Sequence, residues 1–261
     1  SHTFLYESGG ISAYGGIHSH QLQNNNDGTI DIDMIKDAIR IDDVHFPLTS
    51  LICLENTHNK CHGFPLQLDY INSVCNIAHE NKMRVHMDGA RLFNACAALD
   101  EPADKITKNV DSVTFCLSKG LASPIGSVVC GNVDFITEAR RIRKSLGGGM
   151  RQTGIIATTG IVSLNKMRSR LKDDHANAKH LANALHTLPG IELNTDLVPT
   201  NIIFFNFNHP NISSAELVNH MKSNGIIFSD YNGKHCRLVL HHGISRDDVE
   251  KVIDVFNKLL S

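Results

Sequence analysis

The sequence predicts an α/β protein: a large domain on a mostly parallel sheet covered by helices, then a smaller α+β domain. Three observations carry this. Short apolar runs alternate with stretches of helical period through the first half. Polar clusters, ENTHN (55–59), DGAR (88–91) and SKG (118–120), stand directly after three of those runs, where an open parallel sheet places its functional groups. The glycine run LGGGM (146–150) punctuates the chain, and beyond it the order of strands and helices changes.

The elements follow in order. DIDMIKDAI (31–39) reads as a short helix capped by Asp31, and SLICLEN (50–56) as a strand. Residues 68–82 place Leu68, Ile71, Val74, Cys75 and Ala78 on one face at helical spacing. RVHMD (84–88) is a strand, LFNACAAL (92–99) a helix, and DSVTFCLS (111–118) and IGSVVCG (125–131) are strands. VDFITEARRIRKSL (133–146) has the pattern of an amphipathic helix. One long helical stretch is expected over about 152–186, ended by Pro189-Gly190. The tail alternates strand NIIFFNF, helix SAELVNHMKSNG, strands IIFSD and CRLVLHH, and a last helix capped by Ser245. The expected division is 1–160 for the large domain and 161–261 for the long linking helix with the small domain.

Bulk properties narrow the function classes. The chain has 261 residues, 41% of them hydrophobic, enough for a buried core. A net charge of −2 and a pI of about 6.7 argue against a nucleic-acid partner. No run of 18 apolar residues predicts a membrane span. The opening SHTFLYESGG lacks the basic and apolar regions of a secretory leader, so none is expected there. Seven cysteines with no CxxC pair fit reduced, mostly buried thiols in a cytoplasmic protein. His58, Cys61 and His62 lie close in sequence but match no paired zinc motif, so no metal is expected. Neither a GxSxG elbow nor a phosphate loop of the GxxxxGK[ST] kind occurs.

One constellation suits pyridoxal phosphate (PLP) chemistry. That chemistry needs a lysine for the cofactor aldehyde, a carboxylate facing the ring nitrogen, and cations for phosphate and substrate carboxylate. Asp88 ends one apolar strand, and Lys119 follows another 31 residues later, with a short helix between. That is βαβ spacing, which brings both groups to one sheet edge. Arg91 lies three residues after Asp88. Ser118 and Gly120 flank Lys119 and suit a tight turn. On spacing alone, a solvated loop lysine and a helix-capping aspartate explain the same residues.

The strings HMDGARLFNA, DSVTFCLSKGLASPIGS and RKSLGGGMRQTGI, with ENTHN and DDVHFP, closely resemble the threonine aldolase family, a branch of the fold-type-I PLP enzymes. The resemblance covers about residues 1–165 and, more weakly, RLVLHHGIS near the end. It implies a three-layer PLP-transferase-like large domain and a homotetramer or homodimer. It implies that Lys119 bonds the cofactor, that Asp88 partners the ring nitrogen and that His2 stacks on the ring. Arg91 and Arg237 would bind the substrate carboxylate, and His45 would lie near the substrate hydroxyl. Lys144 and Arg151 would be active-site cations, Ser118 would sit beside the cofactor, and Glu55 and Asn56 carry no assigned role.

The implied reaction cleaves threonine or allo-threonine to glycine and an aldehyde, with the hydroxyl proton going to His45, His2 or a held water. A β-eliminating lyase acting on other amino acids shares the fold and the lysine. The family also has a segment ahead of the position His2 occupies, with a serine–glycine–threonine loop that cradles the phosphate. No stretch here matches that loop, so an incomplete large domain with an uncovered sheet edge or face is expected. An enzyme that obtains the loop elsewhere and a catalytically impaired aldolase-like fragment or partner subunit are both consistent with the sequence.

Overall fold

The computed structural model describes residues 1–231 and 233–260. Two compact units divide the chain: residues 1–61 with 65–168, and residues 62–64 with 169–261.

In the first unit, helices α1 (His2–Leu5), α2 (Gly10–Ala13) and α3 (Ile32–Asp37) precede strand β1 (Leu51–Glu55). Then come α4 (Leu68–Glu80), β2 (Arg84–Asp88), α5 (Leu92–Leu99), α6 (Ala103–Ile106), β3 (Ser112–Cys116), β4 (Ser127–Gly131), α7 (Val133–Ser145) and α8 (Gly154–Lys166). The sheet order is β1-β2-β3-β4; the first two pairings are parallel and the last antiparallel. The capping expected of Asp31 is present: its carboxylate accepts from the amides of Asp33 and Met34. α4 packs against β2 and buries Ile71, Val74, Cys75 and Ala78, while Val85 and Met87 of β2 are fully buried between the layers. This is the α/β crossover that the alternating pattern predicts.

Register is what matters for the site. Glu55 pairs with Asp88 across β1 and β2, and Asp88 with Thr114 across β2 and β3. Because parallel strands run the same way, the carboxyl ends of β1 and β2 finish level, each on an acidic residue.

The second unit contains α9 (Leu171–Leu185), β5 (Ile191–Glu192), β6 (Ile202–Phe207), α10 (Ser214–Ser223), β7 (Ser229–Tyr231), β8 (His235–Val239) and α11 (Arg246–Leu260). Its sheet is antiparallel throughout, in the order β5-β6-β8-β7. One core joins the sheet to α9 and α11, with Phe205 and Phe256 edge to face at 6.2 Å. Ser213 and Glu216 form a reciprocal capping box at the start of α10. Ser245 and Asp248 bond reciprocally ahead of α11.

Three sequence expectations change. The helical stretch over 152–186 is two helices, α8 and α9, and Arg168 explains part of the break: its Nε donates to Leu164 O at 2.6 Å and closes the end of α8. α9 then begins on the ion pair of Arg170 with the fully buried Asp174. Secondly, α7 has the expected apolar stripe but buries no residue; Val133 is 80% exposed and Ile142 57%. On the adjoining strand β4, at the edge of the sheet, no residue is buried. Thirdly, the cysteines are free, but only Cys75 and Cys236 are fully buried. Cys130 is exposed because it lies on β4.

The core of the second unit sets a direct test. Phe256→Ala removes a fully buried ring that meets both Phe205 and Phe228. It should destabilise that unit by about 3–5 kcal/mol, read as an earlier urea transition monitored by circular dichroism.

Candidate active site

The carboxyl ends of β1, β2 and β3 carry the site, because apolar strands need their polar continuation at the solvent-facing edge. Asp88 closes β2, half-buried, and its Oδ1 accepts the Ala90 amide at 3.2 Å. Its main-chain carbonyl accepts the Asn56 amide at 2.8 Å, which ties the turn after β1 to the end of β2. Burial, and then the neighbouring Glu55, push the Asp88 carboxyl above its ordinary value. The Ala90 amide and the nearby Lys119 and His2 oppose that rise. Charge on Asp88 is thus costly until a cation is placed against it.

Gly89 shows why this turn reads DGAR. A Cβ there would lie 2.7 Å from the main-chain oxygen of Thr114 and 3.1 Å from Leu92 Cβ. The Gly89 amide donates to that same oxygen at 2.8 Å, so the chain crosses β3 with no room for a side chain. Arg91 follows as the N-cap of α5, half-buried.

Lys119 lies in the turn after β3. Its carbonyl accepts the Ala122 amide at 2.9 Å, and the Leu117 and Ser123 main chain close the turn around it. Lys119 is half-buried, Ser118 exposed and Gly120 buried. Lys119 follows the end of β3, the strand that pairs with Asp88's strand, and its charge is among those that oppose the rise of the Asp88 carboxyl.

His2 joins the same cluster. Its amide donates to Glu55 Oε2 at 2.5 Å, its Nε2 lies 2.7 Å from Glu7 Oε1, and its ring sits 4.7 Å from that of Tyr6. Glu55 is the residue that spacing left without a role. It is 5% exposed and also accepts the Asn59 amide, at 2.8 Å to Oε1. Asn56 is fully buried, and its Oδ1 accepts the Leu66 amide at 3.2 Å. The available signal was their place at the end of an apolar run, Glu55 as the last residue of β1 and Asn56 directly after it.

The remaining residues are placed differently. His45 has a side chain 84% exposed, with Nδ1 2.8 Å from Asp43 Oδ1. Lys144 and Arg151 are exposed on either side of the glycine run. Lys144 Nζ reaches Gly149 O at 3.4 Å, and a Cβ on Gly149 would lie 2.2 Å from Lys144 Cδ, so the run wraps that side chain. Arg237 belongs to the second unit, on β8, with its guanidinium carbon 5.8 Å from the centre of the Phe204 ring. His58 is buried, Cys61 and His62 are half-buried, and no group of three His, Cys, Asp or Glu side chains is placed to hold a metal among the described residues. No helix among them is long and apolar enough to cross a membrane.

The beta-eliminating lyase family model matches residues 1–208. The chain is 41% identical over 262 residues to a probable low-specificity L-threonine aldolase of Arabidopsis thaliana, covering 99% of this chain and 74% of that one. The chain belongs to the threonine aldolase branch of the beta-eliminating lyase family. A low specificity L-threonine aldolase of Escherichia coli K12 is 38% identical, over 97% of this chain and 73% of its own. A crystal structure described as a putative L-allo-threonine aldolase of Listeria monocytogenes superposes with a TM-score of 0.81 at 20% identity, covering all of this chain and 73% of that one. The fold is therefore the threonine aldolase fold, and the strand-end cluster is this family member's own.

The residues present fit PLP. A carboxylate disfavoured by burial and by a second carboxylate would gain from a protonated ring nitrogen, and the turn after the neighbouring strand carries a lysine, the residue type a cofactor aldehyde needs. The same burial sets a pH signature in the cofactor-free protein. Because the Asp88 carboxyl is held above its ordinary value, folding favours its neutral form and its charge costs stability at neutral pH. Asp88→Asn should raise the melting temperature at pH 7 by on the order of 2 °C. The gain should fade as the pH drops towards about 4, where the parent is protonated too. Thermal scans at the two pH values read it.

Proposed function

We propose that this chain catalyses PLP-dependent cleavage of the Cα–Cβ bond of β-hydroxy-α-amino acids, threonine and allo-threonine among them, to glycine and an aldehyde. The observation that carries the reading is Asp88 at the end of β2, with Lys119 in the turn after β3 and His2 bonded to the strand partner Glu55, in a chain of this family. When bound, PLP supplies the sink for the electron pair released as the Cα–Cβ bond breaks.

The chain's own residues have separate tasks. Lys119 would hold the cofactor through its aldehyde carbon. Asp88, whose charge is costly alone, would keep a proton on the ring nitrogen. His2 would cover the ring face, and Ser118 lies next to the lysine. Arg91 and Arg237 are the cations proposed for the substrate carboxylate, which fixes the orientation of the scissile bond. Lys144 and Arg151 are proposed as further active-site cations. The β-hydroxyl proton would pass to His45, to His2 or to a held water; the exposure of His45 makes its ring accessible to substrate or solvent.

The same reading places the protein in threonine catabolism and glycine formation, as a cytoplasmic homotetramer or homodimer. Seven free cysteines support a reducing compartment. The exposed apolar stripe of α7 supports association.

The decisive comparison is the parent chain against Lys119→Ala, with PLP added. The parent should develop the visible absorbance of bound cofactor and release acetaldehyde and glycine from threonine. The variant should lose that band and at least about a hundredfold in aldehyde release. Equal binding and equal cleavage would remove Lys119 from the reaction. Ammonia in place of aldehyde would assign the chain to elimination chemistry.

A further inference from the structure

Glu55 has a structural task that neither its family string nor the reaction explains. The segment carrying His2 is weakly held by packing: neither α1 nor α2 buries a residue. Phe4, Leu5 and Tyr6 are all 40% exposed or more. Apolar burial, which anchors most helices, therefore does not fix where His2 lies.

A hydrogen bond across 53 residues does. Glu55 Oε2 accepts the His2 amide at 2.5 Å. Its other oxygen accepts the Asn59 amide at 2.8 Å, which fixes the carboxylate plane. The Glu55 side chain is 4% exposed and its Oε2 lies 3.9 Å from Nε2 of His58, whose side chain is 2% exposed. A bond from a buried carboxylate to an amide is stronger than a neutral one, and costly to break.

We propose that Glu55 is a positioning residue for the reaction: by accepting the His2 amide, it holds the His2 ring where it covers the cofactor. This rests on the function proposed above, since it is through His2 that Glu55 acts. The geometry suits the task, because Glu55 ends β1 level with Asp88 on β2. One carboxylate would thus partner the ring nitrogen while its neighbour would set the group over the ring. Glu55→Gln keeps the shape but replaces one accepting oxygen with a donor, so one of the two amides loses its partner.

The test compares the parent with Glu55→Gln, His2→Ala and the double variant, using Glu55→Asp in place of Glu55→Gln if that variant fails to fold. In cofactor-free protein, hydrogen exchange over residues 1–6 should quicken about tenfold in the Glu55 variant, the effect of one lost charge-assisted bond, with the sheet strands unchanged. In the PLP-loaded protein, both single variants should weaken the circular dichroism of the cofactor band and lower kcat for threonine by a similar factor. KM should move much less. The double variant should lose little more than either single one, because Glu55 acts through His2. Exchange over residues 1–6 left unchanged by Glu55→Ala, which removes both accepting oxygens, or additive losses in the double variant, would overturn the inference. A parent that neither binds PLP nor releases aldehyde would instead overturn the function reading and with it the catalytic role of Glu55, while the exchange data would still decide whether the tether exists.

Discussion

Two carboxylates at the level ends of adjacent parallel strands are the constraint on which the rest of the site depends. Glu55 and Asp88 are cross-strand partners, the first buried and the second half-buried. Like charges placed this way are unfavourable unless each finds a separate partner. Glu55 finds main-chain amides from two segments, and Asp88 has Ala90, with Lys119 and His2 nearby. The helices and turns around the strand ends supply donors and positive charge to acids that the sheet forces together.

That arrangement explains why the site is built from short loops. The chain leaves β2 through a turn too tight for any side chain at Gly89 and enters α5 at Arg91. It leaves β3 through a turn closed by main-chain bonds around Lys119. Groups held by such turns have little freedom to adjust, which suits chemistry that depends on fixed orientation. The second unit has its own aromatic core and an antiparallel sheet, and there Arg237 is steadied by the face of Phe204.

Much of this was legible in the sequence, for identifiable reasons. β2 and α5 fall where the apolar runs and helical period place them, and Asp88 and Lys119 fall at the strand ends that βαβ spacing requires. The break between α8 and α9 was hidden, because Arg168 and Arg170 are ordinary helix formers by propensity and act here through side-chain bonds. The role of Glu55 was hidden for another reason. Its partner is a main-chain amide 53 residues away, and no pattern of side chains records such a bond. The exposure of α7 was equally invisible, since an amphipathic pattern states which face is apolar but not what covers it.

Gly89 has one more consequence. The tightest of the three contacts a Cβ there would make, 2.7 Å, is to the main-chain oxygen of Thr114; the other two are to the side chains of Leu92 and Val113. A smaller residue at 113 would ease one of those contacts and leave the main-chain one as it is. A larger group in place of Gly89 must displace the backbone of β3 itself, the strand that leads into the Lys119 turn. The turn that follows Asp88 is thereby fitted to the main chain of the neighbouring strand, so a disturbance of either is felt by both.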